Sequence, residues 1–211
     1  MKTQLRETLD AALAHRQLLD HPFYRRWEAG DLNEGELTSY AEQYRYFETM
    51  LPTFLLSLSE QLPEGLARDS VLDNYRDEVS EPSHLELFEV FANFYGASSA
   101  PISPAMKTLV TSYDDVLKQS PVAALAGLLA YEYQGSAIAE SKADGLVKYF
   151  NASSNAVTFW TVHGTIEEDH AAWTMDALSS LEPDETEVGA AARLVGEAWW
   201  AFLDERELLA A

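Results

Sequence analysis

Apolar residues recur at helical spacing along the whole sequence, and no run alternates apolar and polar residues with period two. That pattern leaves no candidate strand. The expectation is an all-α fold, a helical bundle of about seven main helices in a single domain spanning residues 1–211. A first helix covers Thr3 to Leu19 and breaks at His21-Pro22, after which Phe23, Tyr24 and Trp27 open a short turn closed by Gly30. Asp31 or Asn33 then caps a long helix from Glu34 to Leu62. Its inner stripe reads Leu37, Tyr40, Tyr44, Phe47, Glu48, Leu51, Leu55 and Leu58, with a kink expected at Pro52. Another helix runs from Leu66 to Val79 with Leu66, Val71, Leu72 and Tyr75 inward. Ser80-Glu81-Pro82-Ser83 interrupts it before His84 resumes toward Tyr95-Gly96.

Gly96 to Pro104 is the clearest loop, and Ala105 to Leu117 is helical. Pro121 starts the most apolar helix, Val122 to Ala139, in which Ala123, Ala126, Gly127 and Ala130 allow close packing against neighbours. After Asp144-Gly145 a short amphipathic piece reaches Phe150, and Asn151 to Ser154 turns into a helix that Pro183 ends. The last helix spans Glu185 to Leu209, with Val188, Leu194, Val195, Trp199 and Phe202 inside.

Against this apolar background a few polar residues stand out. Trp160 to Trp173 reads W-T-V-H-G-T-I-E-E-D-H-A-A-W and sets His163, Glu167 and His170 at i, i+4 and i+7. At ~100° per residue the three fall within about 60° on one helix face. The flanking Trp160, Val162, Ile166 and Trp173 turn that face inward. A buried cluster of carboxylate and imidazole is costly unless a metal joins it. The plainer alternative is a solvated helix that carries two of the five histidines. Glu48 sits on the apolar stripe of its own helix, where a carboxylate needs a partner, and Glu132 is the only acid of the most apolar helix. The break after Val79 lets Glu78 or Glu81 approach His84.

Together, Glu48, Glu78 or Glu81, His84, Glu132, His163, Glu167 and His170 form a carboxylate-rich set with three histidines drawn from several helices. That is the donor set of a dinuclear iron or manganese site in a helical bundle. Cysteine is absent, so no thiolate site, cysteine nucleophile or disulfide frame is available. A formal net charge of -21 makes nucleic acid and anionic membranes poor partners. The longest apolar run, Val122 to Tyr131, is too short to cross a bilayer, and charges occupy Met1 to Leu13 where a signal peptide needs an apolar block. A soluble, cytoplasmic protein is expected.

The sequence resembles the haem-oxygenase-like diiron oxidases and oxygenases, relatives of the TenA and PqqC proteins. The resemblance covers Leu19 to about Trp173 and rests on H-P-F-Y-R-R-W-x-A-G-x-L from His21, D-N-Y-R-D-E followed by His84, the pair Tyr131-Glu132, and H-x3-E-x2-H. It implies a haem-oxygenase-like helical bundle, two iron ions with dioxygen as co-substrate, and the ligands Glu78, His84, Glu132, His163, Glu167 and His170. TenA-type thiaminases require a cysteine that is absent here.

Within the family the sequence is most similar to the branch of the Chlamydia protein associating with death domains, implicated in making p-aminobenzoate by sacrificing one of its own tyrosines. The resemblance implies Tyr24 as that tyrosine and Lys142 as the amine donor. The alternatives are a core aromatic and a solvated helix-end lysine; Lys142 lies ~15 Å along the helix from Glu132 and about 80° around it.

Three departures matter. Glu167 stands where the family often has aspartate. The segment between Glu78 and His84 is one residue shorter than in the Chlamydia protein, so Glu81 can replace or join Glu78. Glu48 stands where other branches, the fatty-acid decarboxylases and N-oxygenases, carry an extra glutamate ligand, which favours oxidation of a free amino acid or fatty acid. A metal-free small-molecule binding protein, or an interaction protein using its acidic surface, are the competing classes. A homodimer is expected only by analogy with helical relatives.

Overall fold

Residues 1–209 are described by a computed structural model, in which the backbone forms nine α-helices, one short 3-10 turn and no strand. The last two residues of the expected 1–211 domain lie outside the described residues. The helices are α1 (Lys2–Leu13), α2 (Pro22–Ala29), α3 (Glu34–Gln61), α4 (Leu66–Val79), α5 (His84–Phe94), α6 (Pro104–Gln119), α7 (Pro121–Tyr149), α8 (Ser154–Ser180) and α9 (Glu185–Leu208). Nine replaces the expected seven partly because the Phe23–Trp27 segment makes a full helix. The His21 ring accepts from the Phe23 N–H, Pro22 occupies the first helical position, and Gly30 closes the helix with a left-handed φ of 77°.

α3 begins at a reciprocal cap, Asn33 accepting from the Glu36 N–H while the Glu36 carboxylate accepts from the Asn33 N–H. It continues through Pro52, and every residue of its expected inner stripe is buried. α4 is rotated from expectation. Leu66 is exposed, while Ala67, Ser70, Val71, Asn74 and Glu78 face inward. Three polar side chains on that inner face, Ser70, Asn74 and Glu78, hide its true direction from an apolar-stripe argument.

α7 also departs from expectation, because no break occurs at Asp144-Gly145 and one helix runs from Pro121 to Tyr149. Gly145 serves close approach rather than a turn. A Cβ there would lie 2.7 Å from Trp27 Cδ1 and 3.1 Å from the Trp27 carbonyl oxygen. α7 packs most extensively on α8 and α9, and α4 and α5 close over α8. The buried apolar side chains of these helices form one connected cluster. Among the described residues no helix is long and apolar enough to cross a membrane.

Candidate metal centre

Five helices bring polar side chains into this core. α8 presents His163, Glu167 and His170 on one buried face, as their spacing requires. α3 contributes Glu48, α7 Glu132, and α4 Glu78 near its C-terminus. α5 starts with His84, its first turn fixed by a reciprocal cap between Ser83 and Glu86. The bend between α4 and α5 therefore delivers His84 back onto Glu78. Its Nδ1 comes within 2.9 Å of Glu78 Oε2, at an angle that makes no hydrogen bond.

One donor atom each from Glu78, His84 and His163 lies within 4.8 Å of the other two. The His84 and His163 rings are 4.5 Å apart between centroids, and those of His84 and His170 are 6.2 Å apart. His163 Nδ1 donates to the Phe159 carbonyl at 2.8 Å, which fixes the tautomer and leaves Nε2 with a free lone pair. His170 Nε2 has a longer contact, 3.4 Å, with Asp77. Asn74 donates to Glu132 Oε1 at 2.7 Å. Glu48, Glu78, Glu132, His163, Glu167 and His170 line one enclosed cavity with Tyr44 and Tyr131, and its free space is about 10 Å³.

Glu81 is not part of this group. It is exposed in the bend between α4 and α5, because the turn aims Glu78 inward and leaves Glu81 in water. Of the two glutamates that the sequence left open, only Glu78 stands beside His84.

The electrostatics of the cluster are unfavourable as they stand. Burial pushes the Glu48 and Glu167 carboxyls well above the usual range, and neighbouring glutamates push them further. Burial also raises Glu132, against the opposing influence of His170, Thr174 and Asn74. His163 is held well below the ordinary imidazole value by burial and by His84. One oxygen each of Glu48, Glu132 and Glu167 has no hydrogen-bond partner. Buried polar atoms without partners are rare, and three around one cavity call for a cation. Four carboxylates match the charge of two divalent ions, and the all-oxygen-and-nitrogen donor set suits iron or manganese. The residues fit a dinuclear centre.

Behind the cavity wall lies a second polar group. Lys142 is 1% exposed, so the solvated-lysine alternative is excluded; α7 does not end near it, and its chain turns into the core. Its Nζ donates to Tyr40 Oη at 2.7 Å and lies 4.0 Å from the Trp160 ring centre and 4.7 Å from that of Tyr24. Burial drives its pKa well below the usual lysine value, opposed by Glu48 and Glu167, which favours a neutral amine. Tyr24 and Tyr40 pair their hydroxyls at 3.1 Å, and Tyr44 and Tyr131 theirs at 2.8 Å. Tyr40 stacks on Tyr44 with centroids 5.3 Å apart, which joins the lysine group to the cavity wall.

The sequence places Tyr40 and Tyr44 on the inner stripe of α3 but does not reveal the hydroxyl pairs. It also carries Asn74 and Asp77 within D-N-Y-R-D-E without indicating their roles. The signal was available in α4, where Asn74 and Glu78 are one turn apart on a face that had to meet α8.

Comparison with known proteins gives a consistent family picture. A family model described as iron-containing redox enzyme matches residues 38–203. A 4-aminobenzoate synthase from Nitrosomonas europaea is 33% identical over 94% of this chain and 89% of that protein. The Chlamydia muridarum 4-aminobenzoate synthase is 30% identical, over 94% and 88%. Among solved structures, a TenA homologue from Pseudomonas syringae superposes with a TM-score of 0.81 at 14% identity, covering 98% of this chain and 92% of its own. A CADD-like protein of unknown function from Nostoc punctiforme gives 0.78 at 17%, covering 97% and 96%. At such identities the structural likeness establishes the haem-oxygenase-like fold alone.

Proposed function

The chain belongs to the iron-containing redox enzymes of haem-oxygenase-like fold, and from that premise we propose that it is a dioxygen-dependent dinuclear iron enzyme that forms 4-aminobenzoate from its own Tyr24, with Lys142 as amine donor. The observation that carries this reading is the Lys142 amine, buried 4.7 Å from the centre of the Tyr24 ring and one aromatic layer from a cavity walled by carboxylates and imidazoles.

Glu48, Glu78, His84, Glu132, His163, Glu167 and His170 are the proposed ligands. When bound there, two iron ions supply the electrons that reduce dioxygen and the oxidising power that returns to the protein. The chain's own residues define the rest. Phe159 and Asp77 orient the rings of His163 and His170, and Asn74 holds one Glu132 oxygen, which leaves the second donor atom of each side chain for a metal. Tyr44 and Tyr40 give a continuous aromatic path from the cavity wall to Tyr24. The surrounding core excludes water from Lys142 and favours its neutral, nucleophilic form.

The product retains the tyrosine ring and its Cβ. Its formation breaks the Cα–Cβ bond, leaving a glycyl unit at position 24, and oxidises Cβ to a carboxylate; the Lys142 nitrogen displaces the phenolic oxygen as water, and hydrolysis of its bond to Cε leaves an aldehyde, with dioxygen accepting the electrons removed from both side chains. The Lys142 side chain is left oxidised at Cε, and the protein is spent after one turnover.

A second reading, oxidation of a free amino acid or fatty acid, is favoured by Glu48 at the cavity wall. It demands room for a guest, and about 10 Å³ is close to the minimum for one water. Aerobic incubation of the purified, iron-loaded protein alone separates the two. The proposal expects 4-aminobenzoate in solution and altered masses at the Tyr24 and Lys142 positions. An unchanged intact mass together with turnover of an added amino or fatty acid would establish the second reading instead.

A further inference from the structure

A cleft of about 490 Å³ between α1, α7 and α8 reaches from solvent to the back of the same cavity. Its mouth carries Lys2, Glu140, Glu168 and Asp176, and Lys2 pairs with Asp176 across it. Its floor is made by Glu132 and Glu167. These two side chains also line the enclosed cavity, so they form the partition between it and solvent. Each is 6% exposed and has an Oε2 without a hydrogen-bond partner. Three other surface clefts of comparable size share no lining residue with the cavity.

The partition is thin because α7 carries no side chain at Gly135. A Cβ there would stand 2.8 Å from Glu167 Oε2 and 2.9 Å from its carboxyl carbon, closer than non-bonded atoms approach. Glycine is unfavourable inside a helix, and Gly135 is not among the glycines with positive φ, so its backbone does not demand it. Its absent side chain is what lets the Glu167 carboxylate occupy the boundary.

We propose that this cleft is the port through which divalent cations enter the cavity, with Glu132 and Glu167 taking the ion from the solvent side. The proposal rests on the dinuclear metal reading above. The cleft lining carries five carboxylates, Glu132, Glu140, Glu167, Glu168 and Asp176, against the two cations Lys2 and Arg6, and this excess of negative charge draws cations inward. The flanking small residues Ala137 and Ala172, both exposed, keep the entrance open.

Uptake of cobalt(II), followed anaerobically by stopped-flow absorbance, tests the port without relying on activity. Ala172→Trp and Ala137→Trp each place an indole in the mouth without touching a proposed ligand. Leu194→Trp, at an exposed position in clefts that share no lining residue with this one, is the control. The expected result is that both mouth variants reach the wild-type stoichiometry but load at least about tenfold more slowly, and release cobalt to a chelator more slowly by the same factor, because one barrier is crossed in both directions. The control loads at the wild-type rate. Mouth variants that load as fast as wild type overturn the port and leave the metal centre standing. A wild-type chain that binds no cobalt removes the metal centre, and the port with it.

Discussion

Lys142 Nζ donates a 2.7 Å hydrogen bond to Tyr40 Oη in a part of the core where both residues are almost wholly shielded from water. An amine kept there loses solvation and gains one neutral partner, an arrangement that stability alone does not favour. Replacing Lys142 with methionine fills similar space without a buried polar amine. Lys142→Met is therefore expected to melt no lower than wild type, and higher by up to about 1–3 kcal/mol in unfolding free energy. The same variant should bind iron and release no detectable 4-aminobenzoate. Thermal unfolding, metal analysis and product detection check the three parts separately.

Glu48 tests the electrostatic argument. In the metal-free protein its carboxylate is buried beside Glu78, and its pKa is raised by burial first and by that neighbour second. An acid whose pKa rises on folding contributes fully below its unfolded value and loses that contribution as pH climbs. Glu48→Gln removes the penalty, so the metal-free variant should exceed wild type by about 1–3 kcal/mol at pH 7. The difference should shrink toward nothing near pH 4. With iron(II) present the order should reverse, since the variant lacks a proposed ligand. Denaturant unfolding at the two pH values, with and without metal, reads all of this.

The buried phenols predict alkaline behaviour. Tyr24, Tyr40, Tyr44, Tyr113 and Tyr131 all have raised pKa values, with burial the leading cause in each. Their contribution to stability is complete below about pH 10 and is lost as pH rises, at up to about 1.4 kcal/mol per pH unit for each phenol. Ultraviolet titration should show these tyrosines ionising together with loss of helical circular dichroism. A gradual titration of all ten tyrosines in a still-folded chain would contradict the burial described.

Gly145→Ala examines the close approach of α2 to α7. In an open helix this change stabilises by about 1 kcal/mol. Here the new methyl meets Trp27, whose indole N–H also donates to the Lys142 carbonyl at 3.2 Å. A net loss of about 1–3 kcal/mol is expected instead. Calorimetric or denaturant unfolding gives the sign directly.

Much of this architecture was legible in the sequence because its signals are periodic. The inner stripe of α3 is buried as read, including Glu48, and the α8 triad faces one way because three residues at i, i+4 and i+7 must. What escaped had specific causes. Leu66 and Leu194 are exposed although apolar, since a helix face is set by its neighbours rather than by composition alone. Asn74 and Glu78 made the buried face of α4 look solvated. Gly145 resembled a turn because spacing cannot distinguish a glycine that bends a chain from one that admits a tryptophan. The choice between Glu78 and Glu81 depended on the path of a four-residue break, which has no periodicity to read. The tyrosine hydroxyl pairs join residues 16 and 87 positions apart, which no local pattern reports.

The central claim is that buried carboxylates and imidazoles from five helices hold two iron ions. Anomalous diffraction above and below the iron absorption edge, on crystals of anaerobically iron-loaded protein, tests it most directly. The account predicts two peaks among Glu48, Glu78, Glu132, His163, Glu167 and His170, which line the cavity, and His84 beside Glu78, each within about 2.0–2.4 Å of its ligands. A cavity without anomalous signal, or iron found only at acidic groups on the surface, would contradict it.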